Sequence, residues 1–255
     1  MLEEPFAVGN SRIHQLDPRI RVVFAVLFSA VIAVGTAFPA LVTSLVAALL
    51  LTGLAGLKPG AVARRLLWLN AFILFLWLVL PFSYDGQALF KIGPFTATRP
   101  GVIITAQITL KSNAILLILI ALVATMTTVT LGHALNALRC PDKIVHLLLM
   151  TYRYIFVLEQ ESQRLIRAAK IRGFTPGTSL HAYKTYAYLV GMLFVKASER
   201  AERVYRAMKC RGFNGRFHCL HEFGSTRSDR VMTILLSGTL CAILYLDFVN
   251  PMCLL

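Results

Sequence analysis

Two stretches of this chain carry the same pattern 39 positions apart: Ala168-Ala169-Lys170-Ile171-Arg172-Gly173-Phe174 and Ala207-Met208-Lys209-Cys210-Arg211-Gly212-Phe213. The shared order is Ala-x-Lys-x-Arg-Gly-Phe. A helix that ends at a left-handed glycine, with a basic residue facing its dipole and an apolar residue beyond, accounts for Gly173 and Gly212, Lys170 and Lys209, Phe174 and Phe213. It does not account for arginine standing next to glycine both times. Arginine at a helix tip presents a planar fork of donors suited to bidentate pairing with a carboxylate on a partner. The pattern points to two docking tips, Arg172-Gly173 and Arg211-Gly212, supported by Lys170, Lys209, Phe174 and Phe213.

Such tips need helices behind them. The first is expected to start after Pro141-Asp142 and run to Arg172, with Pro176 just beyond Gly173. The second is expected to start after Thr178-Ser179, good capping residues, and to stop at Gly212. Each is roughly 30 residues, or about 45 Å. Neither is apolar enough along its length to cross a bilayer. The second carries Glu199–Arg203 and Glu202–Arg206 at helix-stabilising spacing, beside an apolar stripe of Ala197, Ala201, Val204 and Met208. A stripe on a charged helix needs a partner surface, and the other helix is the obvious one.

The rest of the chain belongs to lipid. Of 255 residues, 57% are hydrophobic and only 15% charged, with a mean hydropathy of +0.68. Soluble domains average about 25% charged residues. Val22–Leu57 has no charge over 36 residues, enough for two short spans turning near Pro39. The expected spans are 22–38, 40–57, 66–82, 110–131 and 231–249, with 83–101 as a loop. Lys111 is expected near the interface, where it can snorkel, and Trp68 and Trp77 are expected as anchors. The parts expected are 1–131 with four spans and a cytoplasmic N-terminus, 132–230 as a cytoplasmic helix region, and 231–255 with the last span.

Charge gives the orientation. The net charge is +14, and 15 of 26 basic residues lie between Arg153 and Arg230. No nucleic-acid signature accompanies it, so the charge is read as cytoplasmic loops facing anionic lipid. Arg12, Arg19 and Arg21, and then Lys58, Arg64 and Arg65, fall on the same side, and the C-terminus then lies outside. The N-terminus lacks the form of a cleavable signal. The five cysteines, Cys140, Cys210, Cys219, Cys241 and Cys253, form no CxxC and suggest no disulfide framework.

Other signals carry less. His218-Cys219-Leu220-His221-Glu222 fits no standard zinc spacing and is read as a surface loop. His133, His146 and His181 stand alone and are read as structural. No nucleotide-cradling GxxxxGK[ST] occurs, so any ATPase must be a partner. Asp247 is the only acidic residue within an expected span. A membrane-embedded lipid-modifying enzyme using the basic region to hold phosphate is the alternative of another class, and an independent channel or carrier is a third. No metal or cofactor is assigned.

The paired tips resemble those of the T component of energy-coupling-factor transporters, a family with two cytoplasmic coupling helices that each end in x-Arg-Gly. The family's usual first residue is Ala, replaced here by Ile171 and Cys210. His14-Gln15-Leu16-Asp17-Pro18-Arg19 resembles the family's segment before the first span, and Thr127-Thr128 its threonine pair closing a membrane helix. Tyr152-Arg153-Tyr154 and Glu161 resemble the start of its first coupling helix. Tyr186, Leu189–Leu193 and Glu199–Val204 resemble the cobalt branch, CbiQ.

The resemblance implies an all-α integral membrane protein with about five transmembrane helices and two coupling helices. It implies a non-catalytic subunit in the bacterial or archaeal inner or plasma membrane. Arg172 and Arg211 would each enter a groove of one of two ATP-binding cassette ATPases. The membrane face would hold a CbiM-like substrate-binding S component, with room for a small CbiN-like subunit. Cobalt is the implied cargo, with nickel or a vitamin as alternatives.

Overall fold

The computed structural model describes residues 9, 11, 13–83, 88–92, 95–214 and 227–249. Eight helices dominate them: α1 Pro18–Val34, α2 Phe38–Leu54, α3 Pro59–Ser83, α4 Arg99–Leu122, α5 Thr128–Ala137, α6 Asp142–Ile171, α7 Leu180–Cys210 and α8 Arg227–Val249. The chain forms two compact units, one of Leu135–His221 and one of Leu2–Ala134 with Glu222–Leu255.

The second unit is the membrane unit. α3, α4 and Asp229–Val249 of α8 are each long and apolar enough to cross a bilayer. α2 is a shorter apolar helix of 17 residues, and α1, also 17 residues, carries Arg19 and Arg21 near its start. Two of the five expected spans therefore sit at the lower limit, about 17 residues, for a bilayer-crossing helix. α4 packs against α1, α2 and α3, and α8 against α1 and α2. Buried positions recur every three or four residues: Ala25, Phe28 and Ile32 on α1; Leu41, Ser44, Ala48 and Leu51 on α2; Ala114, Leu117, Ile118 and Ala121 on α4. Lipid tails are as apolar as leucine, so close packing of small residues holds such helices together, not expulsion of water. Trp68, Leu74 and Leu78 of α3 point outward.

Several boundaries differ from the sequence expectation. α1 starts at Pro18 because the Asp17 carboxylate accepts from the Arg19 amide at 2.9 Å, and proline suits a first turn. The turn to α2 lies at residues 35–37, and Pro39 stands inside the first turn of α2. Pro100 and Gly101, expected as turn residues, lie in the first turn of α4, where proline's missing amide costs nothing. A β-carbon on Gly101 would come within 2.9 Å of the Leu80 carbonyl and Pro81 Cα, so glycine lets α4 start against the end of α3.

The expected loop at 83–101 contains a two-stranded antiparallel ribbon, β1 Ala88–Ile92 and β2 Phe95–Thr98, with an irregular register between Ala88 and Phe90. The expected span at 110–131 is also corrected. α4 stops at Leu122, and after a break α5 opens at Thr128. Thr127 begins a helix there: its hydroxyl accepts from the Thr130 amide at 3.2 Å.

Polar groups inside the membrane unit find partners, as a low-dielectric solvent requires. Lys111, expected near the interface, stands on α4. Its Nζ donates to the Ala33 carbonyl at the end of α1, at 2.9 Å. Gln107 Nε2 donates to the Thr36 carbonyl at 2.8 Å. Asp247 Oδ1 accepts from the amides of Thr36 and Ala37 at 2.9 and 3.0 Å. Asn70 and Asn113 exchange two amide hydrogen bonds at 3.1 and 3.0 Å across α3 and α4, and Trp77 Nε1 donates to Thr109 Oγ1 at 3.1 Å beside them.

Candidate functional site: the paired helix tips

α6 and α7 lie where the sequence placed them. Ser179 caps α7 by accepting from the Ala182 amide at 3.2 Å. α6 ends when the chain turns at Gly173, φ 87°, and α7 when it turns at Gly212, φ 78°. The closing hydrogen bonds are the same in both. Gly173 N donates to Lys170 O at 3.0 Å and Phe174 N to Ala169 O at 3.1 Å. Gly212 N donates to Lys209 O at 3.0 Å and Phe213 N to Met208 O at 3.1 Å. This double closure satisfies carbonyls that a helix end leaves orphaned. Glycine is required because a side chain at positive φ is strained.

The capping geometry leaves the arginines unused. Arg172 and Arg211 occupy matching backbone positions, φ −82° and −94° with ψ 12° and 13°, and both side chains are exposed. Neither guanidinium hydrogen-bonds to a described residue. Ile171, 87% exposed, and Cys210, also exposed, point to solvent, so nothing in the helix pair constrains those two positions. Lys209 lies over the Tyr205 ring at 4.8 Å, and Lys170 is exposed.

Each tip phenylalanine folds back on the opposite helix. Phe174 meets Tyr186 of α7 edge to face at 5.3 Å, and Phe213 lies 5.9 Å from His146 of α6. The two helices are therefore antiparallel, with tips at opposite ends of the pair. From His146 to Arg172 is roughly 39 Å along the α6 axis at 1.5 Å per residue. The arrangement makes two separate cationic knobs and not one composite site.

Between the tips, Lys196 of α7 hydrogen-bonds to Glu161 of α6, which also pairs with Arg164 at 3.5 Å. The Lys196 hydrogen bond holds the Glu161 carboxyl below the usual carboxylate range against the opposing effect of burial, and the charges of Lys196, Arg164 and Arg200 add lesser lowering contributions. The expected pairs Glu199–Arg203 and Glu202–Arg206 form at 3.9 and 3.0 Å. The α7 stripe faces α6 but leaves a cleft of about 480 Å³, lined by His146, Met150, Tyr154, Leu158, Val204 and Met208 among others. His146, Tyr186 and Lys196 were missed as parts of the site, because their partners are distant in sequence. The charge of Lys196 beside an apolar stretch was the one available signal.

Among the described residues no three His, Cys, Asp or Glu side chains come together. The His218–Glu222 stretch lies outside the described residues.

Long apolar helices and a polar helix pair with duplicated tips define a multi-pass membrane protein. Residues 9–219 match the CbiQ family, described as "Cobalt transport protein". The chain is 30% identical over 223 residues to the energy-coupling factor transporter transmembrane protein EcfT of Acidaminococcus fermentans, covering 81% of each chain. Against the protein of that name from Leuconostoc gelidum subsp. gasicomitatum it is 29% identical over 229 residues, 82% of each chain. Against that of Bacillus subtilis it is 26% identical over 230 residues, 84% of this chain and 85% of the relative. The chain belongs to the CbiQ family and is a T component of energy-coupling factor transporters.

Proposed function

We propose that this T component couples ATP hydrolysis by two partner ATPases to the movement of a substrate-binding membrane subunit, docking one ATPase on each tip. The observation that carries this is the pair of exposed guanidiniums, Arg172 and Arg211, at opposite ends of an antiparallel helix pair with identical end geometry. Two separate, equivalent knobs suit a partner present twice. Gly173 and Gly212 aim the arginines, Phe174 and Phe213 brace the tips, and Lys170 and Lys209 add local positive charge. The helix pair then lies in the cytoplasm and the protein in the cell's inner or plasma membrane, as its basic charge favours.

Cobalt is the proposed cargo. Support comes from the family description of the match over residues 9–219; the names of the relatives specify no substrate. A CbiM-like subunit, with a CbiN-like one beside it, would hold the ion. The test is to co-express the chain with its ATPases, purify through the ATPase, and measure labelled cobalt uptake. Arg172→Glu and Arg211→Glu should lose both co-purification and uptake. If both variants assemble and transport normally, docking by these tips is wrong. If uptake of nickel or a vitamin depends on the chain and cobalt uptake does not, the cargo is reassigned.

A further inference from the structure

Arg21 is a charged side chain with 2% of its surface exposed, in the first turn of α1. Its Nε donates to the Leu122 carbonyl at 3.1 Å, and its Nη2 donates to the Thr125 hydroxyl. Leu122 is the last residue of α4, and Thr125 stands in the break before α5. Thr125 Oγ1 in turn donates to the Ala121 carbonyl at 2.8 Å. One guanidinium therefore bridges the end of α4 and the break beyond it, where a helix leaves its carbonyls orphaned and its dipole favours a cation. Asp229 Oδ1 of α8 accepts from the Asp17 amide at 3.3 Å, so the start of α1 is tied to two other helices.

This is a costly way to end a helix. Burying a guanidinium requires its desolvation to be offset by good partners. The same chain ends α6 and α7 with a glycine, but α4 passes into its break through Val123, φ −102° and ψ −49°. What the arginine provides and a glycine cannot is attachment of the break to a second helix. The location matters because the chain passes from the membrane unit to the helix pair within α5, directly after the break.

We propose that Arg21 is a positioning residue for energy coupling. It holds the α4–α5 break to α1, so that displacement of the helix pair moves α1 and α4 together and is not absorbed by bending at residues 123–127. The inference rests on the coupling reading above and adds a part that the tips do not contain.

The test uses the whole complex in proteoliposomes, with Arg21→Met, Arg21→Lys and Thr125→Val. Three quantities are read: ATPase co-purification, labelled cobalt or nickel uptake per ATP hydrolysed, and amide hydrogen exchange over residues 122–128 with and without a non-hydrolysable ATP analogue. Expected are unchanged co-purification, a roughly 2–30-fold fall in uptake per ATP for Arg21→Met, smaller falls for the other two, and faster exchange at the break that grows when nucleotide binds. A merely structural arginine would lower the amount of protein without changing uptake per ATP. If Arg21→Met does not accumulate, Thr125→Val decides by the same ratio and exchange rates. Wild-type ratios and exchange in the variants overturn the positioning role and leave the tips untouched. A wild-type chain that fails to bind its ATPases overturns the coupling reading and this inference with it.

Discussion

Lys196 of α7 donates a hydrogen bond to Glu161 of α6, a polar link between two helices whose cleft is lined mainly by apolar side chains. The pair sits between the two tips. It joins α6 and α7 between the aromatic contacts Phe174–Tyr186 and Phe213–His146 that join them toward their ends.

The link should make the helix pair acid-sensitive. Glu161 is held below the ordinary carboxylate pKa of about 4.3. A carboxyl depressed on folding contributes stability that is full above the unfolded value and is lost as pH falls through the lowered folded value. Protection of the α6 and α7 amides, taken relative to the intrinsic exchange rate at each pH, should therefore fall as pH drops below about 4. Glu161→Gln should remove that part of the response, and Lys196→Met should reproduce the loosened state at neutral pH. A pH response identical in Glu161→Gln would show that other groups control it.

The arginines should discriminate docking from capping by size of effect. A desolvated charge pair that loses one partner costs about 2–5 kcal/mol. A charge at a helix end is worth about 0.3–1 kcal/mol. Arg172→Ala and Arg211→Ala should weaken ATPase binding by the larger amount in a pull-down titration. Lysine should fall between, since it keeps the charge and loses the fork. Full rescue by lysine would favour capping.

The glycines should matter through backbone alone. A β-carbon at Gly173 or Gly212 meets no atom within 4 Å, yet both residues sit at positive φ. Alanine there should cost about 1–2 kcal/mol of helix-end stability, and asparagine less, since it tolerates the left-handed region. Exchange at the amides of Phe174 and Phe213 would report it.

The α3–α4 contact should depend on amides. Asn70→Leu and Asn113→Leu should each loosen α3 in detergent, and the double variant should lose less than the sum. The coupling energy from the cycle should be about 0.6–1.7 kcal/mol, the range for hydrogen bonds between membrane helices. Strict additivity would mean that the two side chains act independently.

Much of this was legible from residue types. Gly173, Gly212 and Ser179 mark helix ends through local chemistry, so α6 and α7 and both tips could be read from short windows. The break after Leu122 could not. Its side-chain partner is Arg21, 101 positions away, and within the apolar run from 102 to 131 only the Thr127-Thr128 resemblance pointed to a helix end, a few residues late. Pro100-Gly101 misled because the same dipeptide serves a turn or a helix start. The α1–α2 boundary was displaced because Pro39 was taken as the turn itself when it opens the next helix. Asp247 was noticed as an oddity in a span, and only the fold shows that it receives two backbone amides of a distant turn.

That turn has a consequence for how the protein is made. Ala33, Thr36 and Ala37 depend on Lys111 and Gln107 of α4 and on Asp247 of α8. The ribosome delivers the first helical hairpin long before α4, and α8 more than two hundred positions later. During synthesis the hairpin carries exposed amides and carbonyls that water or the insertion machinery must satisfy. The first turn therefore reaches its full set of partners only once Asp247 of α8 has been delivered.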